Sequence, residues 1–270
     1  MVYMKPNKIS IILPTYNEKD NIVVLIKEIT KELDDRDYEI IVVDDNSPDG
    51  TSDKVEGEMK RYRKLRLLTR NSDRGLVASI KDGIKISTGN VCIWMDADLS
   101  MSPSLIKQIE RRINLGADLV LGSRYIPGGG MKGADISGGK TSFFRLWKNL
   151  YHSEDSYMSA MISKYGNKLL RLILHDSIND YSSGYFGVKR EVLETIELHG
   201  GVVDYCITLV YKAKSKGLNI VEIPMRLAPR KKGISKTSST LIGILSVAFQ
   251  CYKTALKLKF NINGERGRRL

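Results

Sequence analysis

Four short apolar runs dominate what this chain can fold into. "ISIILP" (9–14), "YEIIVVDD" (38–45), "VCIWM" (91–95) and "ADLVLG" (117–122) are apolar on both faces, and "LRLLT" at Leu65 is a shorter run of the same kind. Helical patterns separate them: "EKDNIVVLIKEITKEL" (18–33), a polar stretch at 51–62, "GLVASIKDGIKIS" (75–87) and 103–115, the last with Ser102 as N-cap and Pro103 in the first turn. Strands buried on both faces and alternating with helices predict an α/β domain whose mostly parallel sheet carries helices on both sides.

Polar residues gather just past the strand ends: Thr15-Tyr16-Asn17-Glu18, Asp44-Asp45, Asp96-Ala97-Asp98 and Ser123-Arg124. In open α/β sheets that edge is where ligands bind. "PTYNEKDN" stands where a dinucleotide-binding domain would carry Gly-x-Gly-x-x-Gly, which argues against that class. Asp45 follows a buried strand and precedes Asn-Ser-Pro-Asp-Gly. It either caps that turn or accepts hydrogen bonds from a base or ribose. Asp96 and Asp98 are two residues apart, so on an extended strand their carboxylates share a side. Such like charges repel unless a cation lies near them, and a hard Mg²⁺ or Mn²⁺ that also takes phosphate oxygens meets that need. The alternative is an N-cap for the helix near Pro103. "RLAPRKKGISK" sets Arg226, Arg230, Lys231, Lys232 and Lys236 around Gly233, either as a solvated basic loop or as one that closes over phosphates.

The 270 residues, 42% hydrophobic, suffice for one such domain. Cys92, Cys206 and Cys251 have neither metal-ligand nor paired spacing and read as reduced, cytoplasmic thiols. No signal-peptide pattern or membrane-spanning run is expected. The net charge of +12 calls for an anionic partner: nucleic acid, lipid headgroups or a phosphorylated substrate. No nucleic-acid-binding module is recognisable, and the cations flank an acidic pocket, so no nucleic-acid partner is expected.

In order along the chain, "LPTYNEKDNI", "YEIIVVDDNSPDGT", "MDADLS", "LGSRYIPGGG", "DYSSGYFGVKREVLE" and "VEIPMRLAPRKKGISK" resemble the family-two nucleotide-sugar glycosyltransferases of GT-A fold, and within them the dolichol-phosphate mannose synthase group. The resemblance runs from Ile9 to about Lys259. It implies that Pro14, Tyr16, Glu18, Val43 and Asp45 line a nucleoside pocket. It implies further that Asp96, Ala97 and Asp98 face the diphosphate, with Asp98 the firmer ligand of a Mg²⁺ or Mn²⁺ ion and Asp96 close by. Arg124, Arg230 and Lys236 should contact the diphosphate or the acceptor phosphate, and Asp180 matches an acid placed near the sugar. The implied reaction is metal-dependent transfer, with inversion, from a nucleoside-diphosphate sugar to a polyprenyl (dolichyl) phosphate. GDP-mannose is the favoured donor and UDP-glucose the alternative, as is a family-two enzyme with a non-lipid acceptor. The Gln-x-x-Arg-Trp motif of processive polysaccharide synthases is absent.

The expected division is a catalytic domain over 1–236, with a mobile Gly-rich acceptor loop at 126–160, and an amphipathic helix with a basic tail over 237–270. Two features depart from the family pattern. The 124–163 segment is longer and holds the aromatic, basic "SFFRLWKNLYH", which suits a membrane-interface helix or ordinary packing. The helix before "VEIP" carries Thr208 where the family has an acid, with Asp204 one turn earlier. In the last helix, Leu241, Ile244, Leu245, Ala248, Phe249, Tyr252, Ala255 and Leu256 form one stripe, for the core or for a monolayer. A peripheral position on the cytosolic face of a membrane, with or without a membrane-anchored partner subunit, follows from the resemblance.

Overall fold

The computed structural model describes residues 7–131, 154–175, 177–228 and 241–266. The expected loop contacts Arg230 and Lys236, and the aromatic segment around Phe143 and Trp147, lie outside those residues.

The first half alternates strand and helix: β1 (Ile9–Thr15), α1 (Ile22–Glu32), β2 (Tyr38–Asp44), α2 (Thr51–Met59), β3 (Leu65–Thr69), α3 (Leu76–Ile86), β4 (Val91–Trp94), α4 (Leu105–Asn114) and β5 (Leu119–Ser123). After β6 (Gly130–Met131) come α5 (Glu154–Ile173), β7 (Phe186–Lys189), α6 (Arg190–Thr195), α7 (Asp204–Ser215), β8 (Ile220–Pro224), β9 (Arg226–Leu227) and α8 (Leu241–Arg266). Seven strands make one sheet in the order β3-β2-β1-β4-β7-β5-β8. Every pairing is parallel except those of β7, which lies antiparallel between β4 and β5. β6 and β9 form a separate parallel pair.

Alternation of side chains sorts the strands into two cores. Ile9, Ile11, Leu13, Ile40, Val42 and Ile93 meet α1 and α4 through Leu25, Ile29, Ile106 and Ile109. Ile12, Ile41, Val43, Cys92 and Trp94 meet the opposite layer through Ile80 of α3, Leu170 of α5, Leu209 of α7, and Cys251 and Ala255 of α8. Each large apolar side chain removed from water here is worth about 1.5–3 kcal/mol. Helix α3 comes so close to β1 that a Cβ at Gly83 would lie 2.5 Å from Ile12 Cγ2, which only glycine avoids.

Two expectations need correction. Helix α4 begins at Leu105 with Ser104 at its N-cap; Pro103 and Ser104 form a turn ahead of it, where the Ser104 N–H donates to Ser102 Oγ at 3.3 Å. In α8 the expected single apolar stripe is divided: Cys251 and Ala255 are buried, whereas Phe249 is 71% and Leu256 44% exposed. Strand β7, within "DYSSGYFGVKREVLE", is a sheet member that the sequence pattern did not announce.

Candidate active site

Parallel register brings three strand ends to one edge. Pro14 pairs with Val43 and Thr15 with Asp44, while Ile12 pairs with Trp94, so Pro14 and Asp96 stand at the same height. Each loop leaving that edge contains one non-glycine residue at positive φ: Asn17 at 56°, Asn46 at 54° and Leu99 at 63°. Asparagine tolerates this conformation; a bulky leucine does so at a cost on the order of 1–3 kcal/mol, which the buried surroundings of Leu99 must offset.

The two aspartates after β2 have separate tasks. Asp44 is the turn cap: it accepts from Ser47 N at 2.9 Å, Ser52 Oγ at 2.8 Å and Thr15 Oγ1 at 3.0 Å. Asp45 opens onto a cleft of about 450 Å³ lined by Pro14, Tyr16, Glu18, Asp96, Ala97 and Asp98, among others. Six of the residues expected there thus meet Asp45 in one cavity. Val43 does not; its side chain is fully buried in the sheet core with Ile12 and Ile80.

Asp45 is itself held by residues that sequence reasoning missed. Its Oδ1 accepts from Arg70 Nη1 at 2.5 Å and Ser79 Oγ at 2.8 Å, and its Oδ2 accepts from the Gly75 N–H at 2.8 Å. Arg70 also donates to Asp82 at 2.7 Å and to the Asp73 carbonyl at 2.7 Å, tying down the β3–α3 loop. Gly75, at φ 152°, presents its N–H to Asp45. The same loop supplies Arg74, which lines the cleft with its guanidinium 5.6 Å from the centre of the Tyr16 ring. The signal was available: "TRNSDRG" follows a strand, β3, at the same edge.

Asp98 is buried and accepts from the Ser100 N–H at 2.9 Å, while Asp96 is half-buried. Behind Asp96 stands Gly184, whose added Cβ would lie 3.8 Å from Asp96 Oδ1. Among the described residues no three His, Cys, Asp or Glu side chains converge as a metal-holding group. Asp96 and Asp98 are hard oxygen donors on an open cleft, which fits Mg²⁺ or Mn²⁺ if phosphate and water complete the ligand set.

Arg124 and Asp180 are not separate contributors. Asp180 is fully buried and receives Arg124 Nε at 2.8 Å, Arg124 Nη2 at 2.7 Å and the Arg124 N–H at 3.0 Å. Burial works against the guanidinium charge, yet the Asp180 carboxylate holds the Arg124 pKa above its ordinary value. Glu222 of β8 fixes this loop by accepting from Asn179 N at 2.9 Å and Asp180 N at 3.1 Å. The Arg124 guanidinium, expected at the diphosphate or the acceptor phosphate, is bound to Asp180 and Ser182, and neither Arg124 nor Asp180 is among the residues lining the cleft. Burial pushes the Cys206 thiol up, the Asp180 and Asp96 carboxylates add to that shift, and Arg124 opposes it.

Asp204 is also committed elsewhere: it accepts from Gln250 Nε2 at 2.5 Å and Thr254 Oγ1 at 3.0 Å of α8. His175 lies just past α5 and stacks on Tyr211 with ring centres 5.2 Å apart; burial lowers its pKa.

A mostly parallel sheet with acidic strand ends around one cleft defines a GT-A-like α/β domain. The glycosyl transferase family 2 model matches residues 10–197, and the chain belongs to that family. It is 32% identical over 235 residues to a dolichol-phosphate mannosyltransferase of Pyrococcus furiosus, covering 87% of this chain and 60% of that protein. It is likewise 32% identical over 241 residues to a polyprenol monophosphomannose synthase of Mycolicibacterium smegmatis, covering 86% of this chain and 82% of the relative. Among solved structures it resembles glucosyl-3-phosphoglycerate synthase of Mycobacterium tuberculosis in complex with Mn²⁺, UDP and phosphoglyceric acid. That similarity has a TM-score of 0.67 at 16% identity, over 94% of this chain and 78% of the other, and bears on the fold.

Proposed function

We propose that the protein transfers a hexose from a nucleoside-diphosphate sugar to a polyprenyl (dolichyl) phosphate, with mannose from GDP-mannose as the favoured donor. The observation that carries the reading is that one cleft is lined by Asp45 and Tyr16 together with Asp96 and Asp98. That layout suits a nucleoside beside a charged diphosphate. The two mannosyltransferase-type relatives support a lipid-phosphate acceptor.

A lipid monophosphate has a second pKa of about 6, so near neutral pH it is mostly a dianion and needs no strong base. One phosphate oxygen forms a bond to the anomeric carbon as the bond from that carbon to the β-phosphate oxygen breaks, with inversion. The nucleoside diphosphate leaves with the electron pair. Asp45, held by Arg70, orients the nucleoside; Arg74 supplies a cation at the cleft wall; Asp96 and Asp98 would hold Mg²⁺ or Mn²⁺. When bound, that ion screens the diphosphate and stabilises it as a leaving group. Arg230 and Lys236 remain proposed phosphate contacts. The division into a 1–236 catalytic domain and a 237–270 helix and tail is likewise proposed. No helix among the described residues is long and apolar enough to cross a membrane, and the proposed location is peripheral, on the cytosolic face.

The test is transfer of labelled sugar from GDP-mannose, and separately from UDP-glucose, to a short-chain polyprenyl phosphate with and without chelator. Asp98→Asn should reduce transfer at least about a hundredfold, the scale of losing metal-assisted charge stabilisation. Wild-type turnover by this variant at saturating Mn²⁺ would remove the metal role, and transfer from UDP-glucose alone would replace the donor.

A further inference from the structure

We infer that Arg74 sets which nucleobase the cleft accepts: it donates to a base carbonyl beside the one ring N–H that Asp45 takes, so keto bases are admitted and amino bases refused. The inference deepens the proposed function and rests on it only in placing a nucleoside diphosphate in this cleft. Two arginines of the β3–α3 loop have different directions. Arg70 turns its fork inward, to Asp45, Asp82 and the Asp73 carbonyl. Arg74 is exposed at the cleft wall, with its guanidinium 5.6 Å from the centre of the Tyr16 ring, within cation–π range. The backbone on either side fixes that position. Asp73 stands at φ 51° with its carbonyl bonded to Arg70, and Gly75, at φ 152°, gives its N–H to Asp45. A side chain at Gly75 would have room but would strain this backbone conformation.

Asp45 limits what can be read beside it. A carboxylate has about four lone-pair sites. Oδ1 of Asp45 already accepts from Arg70 Nη1 and Ser79 Oγ, and Oδ2 from the Gly75 N–H. One site is left, on Oδ2, and Asp45 lines the cleft. With Oδ1 filled, the N1–H and amino group of guanine cannot both be taken in the two-pronged fashion open to a bare carboxylate. Asp45 accepts one ring N–H instead: N1–H of guanine or hypoxanthine, or N3–H of uracil.

In each of those bases a carbonyl oxygen stands next to that N–H: O6 in the purines, O4 or O2 in uracil. An arginine has donors only, in a planar fork, and such a fork suits guanine O6 with N7. Adenine or cytosine held in the same register puts an amino group before Arg74 and an unprotonated ring nitrogen before Asp45. Donor then meets donor and acceptor meets acceptor. A site built on hydrogen bonds rejects such analogues strongly, because its own polar groups are left unpaired. The loop favours the base over the diphosphate as the partner of Arg74. Gly75, its sequence neighbour, is the residue bonded to Asp45, whereas Asp96 and Asp98 belong to another loop, after β4.

The test is calorimetric titration of the full chain, in Mg²⁺, with GDP, IDP, UDP, ADP and CDP. IDP, which lacks only the amino group of GDP, should bind within about threefold of it, because Asp45 reads a single N–H. ADP should bind about tenfold or more weaker than GDP, and CDP likewise weaker than UDP. Arg74→Met should weaken GDP, IDP and UDP by about tenfold or more and change ADP by less than about threefold, closing the gap between keto and amino bases. An equal loss for every diphosphate would make Arg74 a phosphate contact and overturn the inference. So would ADP bound as tightly as GDP, IDP bound far more weakly than GDP, or no binding of any of them. Transfer is read separately. Base selection as expected, with no sugar passed from GDP-mannose or UDP-glucose to polyprenyl phosphate, would sink the transferase reading and leave the role of Arg74 standing.

Discussion

Replacing Asp180 with asparagine should cost about 3–5 kcal/mol of stability, the scale for leaving one buried charge without its partner. Asp180 has no exposed surface, and both its oxygens are engaged: one by Arg124 N and Nε at 3.0 and 2.8 Å, the other by Arg124 Nη2 and Ser182 N at 2.7 and 3.2 Å. Asparagine keeps one acceptor but sets an amide N–H₂ against donors on the other side. The Arg124 guanidinium stays charged and buried, and the new amide group adds an unpaired donor. Urea unfolding followed by circular dichroism reads the loss directly. In a thermal melt, at 2–4 °C per kcal/mol for a chain of this size, it corresponds to roughly 6–20 °C. Asp180→Leu, Arg124→Met and the Arg124→Met/Asp180→Leu double variant form a closed cycle, in which the double should lose less than the sum of the singles by at least about 1 kcal/mol. A loss below about 1 kcal/mol for Asp180→Asn, of the size expected for a surface pair, or an additive cycle, would refute the buried-pair account.

Glu39 offers a pH-dependent test. Burial alone would raise its pKa, but hydrogen bonds from the Thr88 N–H, Arg66 and Ser10 hold it down to about 2, against an ordinary 4.5. Its stabilisation is therefore present above about pH 4.5 and lost as the pH falls towards 2. The stability gap between wild type and Glu39→Gln should close by about 2–3 kcal/mol between about pH 5 and pH 2; a gap constant with pH would disprove the assignment. Arg70→Lys keeps the charge but loses the fork that reaches Asp45, Asp82 and the Asp73 carbonyl together. Calorimetric titration with nucleoside diphosphates should show binding weakened about tenfold or more, and unchanged affinity would mean that Asp45 needs no such support.

The first-half elements were readable because β1, β2, β4 and β5 are apolar on both faces and end in polar residues; period and position suffice for such strands. The edge that carries the cleft followed from the same rule, and Asp45, Asp96 and Asp98 do line one cavity. What escaped depends on partners distant in sequence. "FGVK" is too short and too glycine-containing to announce β7, which exists because β4 and β5 each lack a neighbour on one side. The Arg124–Asp180 pair was not legible because the two residues stand 56 apart in the sequence and meet only in the fold. Which residues of the α8 stripe turn inward was not legible because periodicity reports only that a stripe exists, while the bonds from Gln250 and Thr254 to Asp204 fix the rotation of the helix.

The antiparallel placement of β7 governs the order in which the protein can be made. Strands β1 to β4 find their mutual partners as soon as residue 94 has emerged from the ribosome, but β5 bonds only to β7 and β8, both later in the chain. Until residues 186–189 arrive, β4 has an open edge and the apolar β5 has nowhere to pair. A nascent chain stalled in this interval exposes a template for intermolecular strand addition. Truncations before Phe186 should accumulate as aggregates, whereas those that retain β7 and β8 have both partners of β5 in hand.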